Sequence, residues 1–202
     1  MDKKLALDIG NVICRVDLEK FYTFLVNDKD IFPNKDQANI FFEGVQNSMD
    51  LGLYSIKHAF RKYIPGLSEK DLKDIRDFWM GICVISSDML LFLKELEDRK
   101  IQVAVLSNIG VDHASLFSSY LDKFNCIKFF SCNIGTRKPS KFFFQIFQDS
   151  YNWQKNTYFF DDRAENVDAA KNYFNSVQFN LYDYKDDSDG IYFLKSKLGL
   201  NK

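Results

Sequence analysis

Residues 4–13 read KLALDIGNVI, an apolar run that delivers one aspartate, Asp8, and breaks two positions later at Gly10. A short apolar run that ends abruptly in a polar residue has the pattern of a buried β-strand whose last side chain emerges at the strand terminus. The same pattern recurs in IQVAVLSN (101–108), CIKFFSCNI (126–134) and TYFFDD (157–162), and again in VQFNLY (177–182). Helix-like patterns lie between the later runs: ASLFSSYLDKF (114–124), PSKFFFQIFQDSY (139–151) and AENVDAAKNYF (164–174). Strands alternating with helices predict an α/β fold built on a doubly wound parallel sheet. Such sheets bind ligands beyond the carboxyl ends of their strands, which here carry Asp8, Ser107 with Asn108, and Asp161 with Asp162.

The interval after the first strand has a different texture. DLEKFYTFLVN (17–27), QANIFFEGVQ (37–46), SIKHAFRKY (55–63) and SEKDLKDIRDFWMGI (68–82) all have helical spacing, and turns are expected at Pro33 and around Pro65-Gly66. A crossover between parallel strands needs only about a dozen residues. This much longer stretch is therefore expected to be an inserted helical cap over residues 17–86, with the core domain formed by residues 1–16 and 87–202. The alternative is a run of ordinary crossover helices without a lid role. Near the end of the chain, YDYKDDSDG (182–190) reads as a solvated acidic loop broken by Gly190.

Bulk properties narrow the partners. Twenty-seven basic against 28 acidic residues leave no basic face for nucleic acid. No uncharged apolar stretch approaches the roughly 20 residues that span a bilayer. Cys14, Cys83, Cys126 and Cys132 lack metal-ligand spacing, and no apolar signal segment follows the amino terminus, so a reduced cytoplasm is the expected compartment. The 21 phenylalanines are expected to fill the core. Nothing in the sequence sets the oligomeric state.

Each polar motif has a structural reading beside the functional one. Strand-end aspartates often form turns or cap helices. Lys138 precedes Pro139, which suits the first position of a helix. Ser107-Asn108 fits a turn, and Asp162 with Glu165 fits a capping box. Against this, Asp161 beside Asp162 brings two like charges towards Asp8, an arrangement that is costly unless a cation sits among them.

In their order, ALDIGNVI (6–13), VLSN (105–108), the run Gly135-Thr136-Arg137-Lys138-Pro139 with phenylalanines at 142–144, and FFDDRAENVDAA (159–170) resemble the haloacid dehalogenase-like (HAD) hydrolases with a helical cap after the first strand. The resemblance spans nearly the whole chain. Within that family LDIGNVI looks most like the sugar-phosphate phosphatases, of glucose-1-phosphate type, whose loop reads Asp-x-Gly-Asn-Val. The resemblance implies a Mg²⁺-dependent phosphatase of a small phosphorylated metabolite. Asp8 would be the nucleophile, forming an acylphosphate that water then cleaves. Asp8, the Gly10 carbonyl and Asp162 would hold Mg²⁺, with Asp161 acting through water or behind them. Lys138 would keep Asp8 ionised and orient it, and Ser107 would clamp a phosphoryl oxygen. Asn11, Asn108 and Arg15 are candidate substrate ligands. His113 and the buried Cys14 are given no role.

In most phosphatases of that family, the residue two after the nucleophile is an aspartate that protonates the leaving oxygen. Here it is Gly10. General acid–base help is worth on the order of 10²–10⁴ in rate, so a handicap or a substitute is expected. Three answers are open: Asp17 leans back as the acid, the leaving group is an anomeric oxygen that needs little help, or the site binds phosphate or a partner with negligible turnover. Dehalogenation, which needs no metal and gains nothing from the Asp161-Asp162 pair, ranks below these.

Overall fold

Five strands form one wholly parallel sheet in the order β5-β4-β1-β6-β7: β1 (Lys4–Leu7), β4 (Gln102–Ser107), β5 (Cys126–Phe130), β6 (Tyr158–Asp161) and β7 (Asn175–Gln178). The computed structural model describes residues 4–153 and 156–201. Residues 1–3, 154–155 and 202 of the expected core segments lie outside the described residues.

Alternation along the strands sorts the core into two layers. Leu5, Leu7, Val103, Val105 and Phe160 face one side, where α5 (Ser87–Asp98), α6 (Val111–Leu121) and α10 (Asp187–Leu198) pack. Ala6, Ala104, Leu106 and Phe159 face the other, against α8 (Lys141–Tyr151). The small side chains of Ala6 and Ala104 leave room there for Phe143, Phe144, Phe147 and Phe174, all 2 % exposed or less. Phe129 meets Phe143 and Phe147 edge to face at 5.0 and 5.2 Å, contacts worth about 0.5–1.5 kcal/mol each beyond their buried area. The phenylalanine runs are core filler, as expected, except for Phe142, which is 59% exposed.

The stretch expected as a cap folds as α1 (Leu18–Thr23), continued by one π-helical turn over Phe24–Asp28, and α2 (Lys35–Asp50), α3 (Ile56–Tyr63) and α4 (Glu69–Met80). Its own core gathers Phe21, Phe42, Phe60, Ile75 and Trp79. Asn34, Ser55 and Ser68 cap α2, α3 and α4 through their side chains, as their residue types favour. A two-stranded antiparallel ribbon, β2 (Cys14–Val16) on β3 (Cys83–Ile85), carries the chain into and out of the cap.

Four expectations need correction. VQFNLY (177–182) joins the sheet only at Val177 and Gln178, since β7 runs Asn175–Gln178 and Leu181–Asp183 forms a 3-10 turn. The end of CIKFFSCNI is not strand: Ser131–Ile134 forms a short helix, α7, closed by Gly135 at φ 73°. The acidic stretch 182–190 is not a loop throughout, because Asp186 caps α10 and the first turns of that helix run through Gly190. AENVDAAKNYF is helical only over α9 (Ala164–Ala170). No helix among the described residues is long and apolar enough to cross a membrane.

Candidate active site

The chain builds outward from β1 to one side of the sheet (β4, β5), then returns to build the other (β6, β7), so its direction reverses between β1 and β6. Loops at such a reversal diverge and leave a crevice beyond the strand ends. Asp8 leaves β1 and Asp161-Asp162 ends β6 at that place. One carboxylate oxygen from each of the three lies within 4.8 Å of the others.

Lys138 is the cation at the centre of this cluster. It is fully buried, so the surface alternative at a helix start does not hold, and α8 begins only at Lys141, after Ser140 as its cap. Its Nζ donates to the Leu106 carbonyl at 2.7 Å and to Asp161 Oδ2 at 2.6 Å, and stands 3.0 Å from Asp8 Oδ1. Asn108 fixes the lysine's backbone from the β4 side: its Oδ1 accepts from Lys138 N–H and its Nδ2 donates to the Lys138 carbonyl, both at 2.8 Å. Asn108, expected as a substrate ligand, thus positions the lysine.

Asp161 is enclosed. Besides Lys138, it accepts from Arg163 N–H at 3.0 Å and from Asn166 Nδ2 at 2.9 Å, and it has no exposed surface. It sits behind the site and organises it. Asp162 Oδ2 accepts from Asn11 Nδ2 at 2.9 Å, so its carboxylate does not close the capping box suggested by Glu165; Arg163 is the cap residue of α9 and caps with no side-chain bond. Asn11, at φ 55°, adopts the left-handed conformation that asparagine tolerates, and its Oδ1 accepts from Val16 N–H at 3.1 Å. It ties the loop after β1 to Asp162.

One ammonium reaches two of the three carboxylates here, and the electrostatics reflect it. Burial is the largest influence on Asp8 and pushes it up to about 7; Lys138 and a hydrogen bond from Ser107 pull against that, while Asp161 and Asp162 add to it. Burial also raises Asp162, opposed by Asn11. Burial disfavours the Lys138 ammonium, but Asp161 and Asp8 outweigh it and hold its pKa above the ordinary lysine value. Asp8 Oδ1 is buried, with the Lys138 ammonium 3.0 Å away as its partner. A set of hard oxygens gathered within 4.8 Å of one another, with negative charge in excess, fits a divalent cation such as Mg²⁺.

Above the cluster lies a cavity of about 570 Å³, walled on the core side by Asp8, Ser107, Asn108 and Asp162 and on the cap side by Asp17, Glu19, Phe42, Gln46, Asp50 and Trp79. Two expected residues do other work. Arg15 is absent from this wall: its Nη2 donates to the Leu181 carbonyl at 3.1 Å and to Asp187 at 2.6 Å, and the guanidinium lies over Tyr182, binding the cap entrance to α10. Asp17 does line the cavity, but Oδ1 caps α1 by accepting from Lys20 N–H at 3.0 Å and Oδ2 stands 3.4 Å from Lys20 Nζ. Its oxygens already have donors, which speaks against it as the replacement acid.

Several site residues carry no motif. Asn166 follows Asp161 by five positions, where only knowledge of the turn into α9 would single it out. Asp50, on the last turn of α2, is 6 % exposed and lines the cavity. His113, given no role from the sequence, is buried, its Nε2 2.9 Å from the Trp79 carbonyl, while Asp112 beside it accepts from Ile56 N–H at 2.8 Å. These contacts hold the cap on the core. Cys14 is buried, as expected.

No protein-family model matches the sequence, and no curated protein matches it significantly. Solved structures do share its fold. A HAD-family enzyme from Bacteroides thetaiotaomicron, solved as a magnesium complex, superposes with a TM-score of 0.76 at 22% identity over 95% of this chain and 98% of that one. The same enzyme was also solved with magnesium and inorganic phosphate. A HAD phosphatase from Thermococcus onnurineus gives 0.66 at 16% identity over 98% of both chains. A dehalogenase gives 0.60 at 18% identity, over 92% of this chain and 88% of its own. The chain therefore has the α/β HAD fold, a fold that houses both phosphoryl and carbon–halogen chemistry.

Proposed function

We propose that this chain is a magnesium-dependent phosphatase of a small phosphorylated metabolite, a sugar phosphate in particular, acting through an aspartyl phosphate on Asp8. The observation that carries the reading is the gathering of Asp8, Asp161 and Asp162, one carboxylate oxygen of each within 4.8 Å of the others, beside a single buried lysine that stands 3.0 Å from Asp8 and 2.6 Å from Asp161. Carbon–halogen displacement gains nothing from three carboxylates gathered to hold a cation. The structural relatives solved with magnesium and phosphate point the same way.

Asp8 and Asp162 would hold the ion, with the Gly10 carbonyl as third protein ligand; bound there, Mg²⁺ neutralises the carboxylates and the phosphoryl oxygens so that one anion can approach another. Lys138 orients the Asp8 carboxylate and faces the phosphoryl charge, and Ser107 is the hydroxyl beside both. Asp8 attacks phosphorus, the ester P–O bond breaks, and the leaving oxygen departs with the bonding pair. Water then attacks the same phosphorus, and Asp8 leaves as carboxylate with release of phosphate. Asp161, held by Lys138, Arg163 and Asn166, keeps the lysine in place.

Without a carboxylate at position 10 and with Asp17 engaged at α1, the leaving oxygen finds no obvious protein acid. An anomeric sugar oxygen, comparatively acidic, needs the least help. The same feature favours the second reading, a phosphate-binding module with negligible turnover. The test is a panel of sugar phosphates with purified protein, with and without Mg²⁺, beside Asp8→Asn. Phosphate release that needs both Mg²⁺ and Asp8 supports the phosphatase; release that persists without either contradicts it.

A further inference from the structure

We infer that the cap wall of the cavity, centred on Asp50, is a leaving-group subsite that accepts a neutral, hydroxyl-bearing group and rejects an anionic one, which makes Asp50 a specificity-determining residue. This rests on the phosphoester reading above.

Asp50 stands where α2 meets the core. Its backbone carbonyl accepts from Ser131 Oγ at 2.6 Å, so its position is fixed from the core side. Its Oδ2 is buried without a hydrogen bond, with Arg137 Nη2 3.4 Å away. Burial pushes its carboxyl up to about 6, against the pull of Arg137, Arg163 and Lys138. A carboxylate that lines the cavity while an arginine steadies its Oδ2 from outside is a fixed acceptor for a donor on the occupant.

Charge decides which donor. Three carboxylates, Asp17, Glu19 and Asp50, line the cap wall, and no lysine or arginine does so among the described cap residues. Each already has a counter-ion outside the cavity: Lys20 at 3.4 Å, Lys35 at 3.2 Å and Arg137 at 3.4 Å. The wall thus offers acceptors whose charge is balanced, which suits a hydroxyl better than an ammonium. An anionic leaving group would meet no uncommitted lysine or arginine among the described lining residues, since Arg163, the cation on the core wall, pairs with Glu165 at 2.6 Å and Lys138 is held by Asp8 and Asp161. Gln46, one turn before Asp50, both donates and accepts, and Phe42 and Trp79 supply apolar surface for the carbon face of a ring.

The test compares wild type, Asp50→Asn and Asp50→Ala on three Mg²⁺-loaded probes: glucose 1-phosphate, 3-phosphoglycerate and p-nitrophenyl phosphate. Losing a hydrogen bond to a charged acceptor should raise KM for glucose 1-phosphate about tenfold or more in Asp50→Ala, and raise it much less for p-nitrophenyl phosphate, whose ring carries no hydroxyl. Asp50→Asn should improve 3-phosphoglycerate relative to glucose 1-phosphate by about tenfold. Binding of the same probes by calorimetry, in an Asp8→Asn background with and without the Asp50 changes, reads the subsite whether or not turnover occurs. Absence of hydrolysis by wild type would defeat the phosphatase reading. Equal effects of the Asp50 changes on all three probes, in kinetics or calorimetry, would instead make Asp50 a latch between cap and core and overturn this inference.

Discussion

Gly10 is where the chemistry is thinnest, and the structure leaves room to test it. A Cβ placed there meets only Val16 Cγ2, at 3.7 Å, an ordinary contact. Gly10→Asp should therefore fit and, by supplying an acid, raise kcat on alkyl phosphates by up to about 10²–10⁴, with a smaller gain on p-nitrophenyl phosphate, whose leaving group needs no proton. Equal gains on both, or none, in steady-state assays would mean that the acid is not what is missing. At Lys138 the expectation is loss: Lys138→Met strands buried carboxylates without their cation, and breaking such a pair costs about 3–5 kcal/mol, visible as a large fall in urea midpoint together with lost turnover. Asp50 gives a pH signature. Its folded pKa of about 6 lies above the ordinary 3.8, so between those values the folded state holds more protons than the unfolded one, and stability falls as pH rises through that window. About two units correspond to about 3 kcal/mol at most. Asp50→Asn should gain on wild type between pH 4.5 and 7 in thermal midpoint; a constant difference would contradict the raised pKa. Asp8, Lys138 and Asp161-Asp162 were legible because each ends or follows a strand-like run. Asp50 and Asn166 were not, because a helical acid or amide carries no mark of the cavity it will face.

At the scale of elements, the end of α2 shows how the cap is seated. Leu53 N–H reaches the Ser48 carbonyl and Gly52 N–H the Met49 carbonyl, both at 2.9 Å, a Schellman closure that needs its glycine at φ 77°. A Cβ on Gly52 would fall 2.5 Å from the Cys132 carbonyl oxygen of α7. Gly52→Ala should thus cost more than the ~1 kcal/mol of backbone strain alone, since cap and core must part to admit the methyl. Chemical denaturation would measure it, and a change under 0.5 kcal/mol, the scale of a neutral surface substitution, would show that the approach is looser than described. Periodicity exposed the cap helices but not the β2–β3 ribbon, whose strands are too short for alternation to register. It also missed α10, where Gly190 reads as a breaker. The helix keeps a glycine there because a Cβ would come within 3.2–3.4 Å of Leu181, Phe179 and Tyr184, a packing reason that no local pattern displays.

Across the whole molecule, the parallel sheet gathers Asp8, Lys138 and Asp161-Asp162, residues far apart in the chain, at one reversal of strand order, leaving a surplus of buried negative charge. That arrangement was foreseeable from strand-end polarity, because a doubly wound sheet sends its carboxyl ends to one edge. The crevice and its excess charge link stability to the cation. Mg²⁺ at about 100 times its Kd should stabilise wild type by about 2.7 kcal/mol, and Asp8→Asn or Asp162→Asn should reduce the effect; equal stabilisation of all three proteins would place the ion elsewhere. The central claim, that the Asp8 carboxylate attacks phosphorus, is tested most directly by trapping. Protein turning over glucose 1-phosphate with Mg²⁺ is quenched with borohydride, which reduces an acylphosphate to the alcohol, and then mapped by mass spectrometry. The account predicts homoserine at position 8, dependent on both ester and Mg²⁺. Phosphate release with Asp8 unmodified under conditions that trap a known acylphosphate would contradict it.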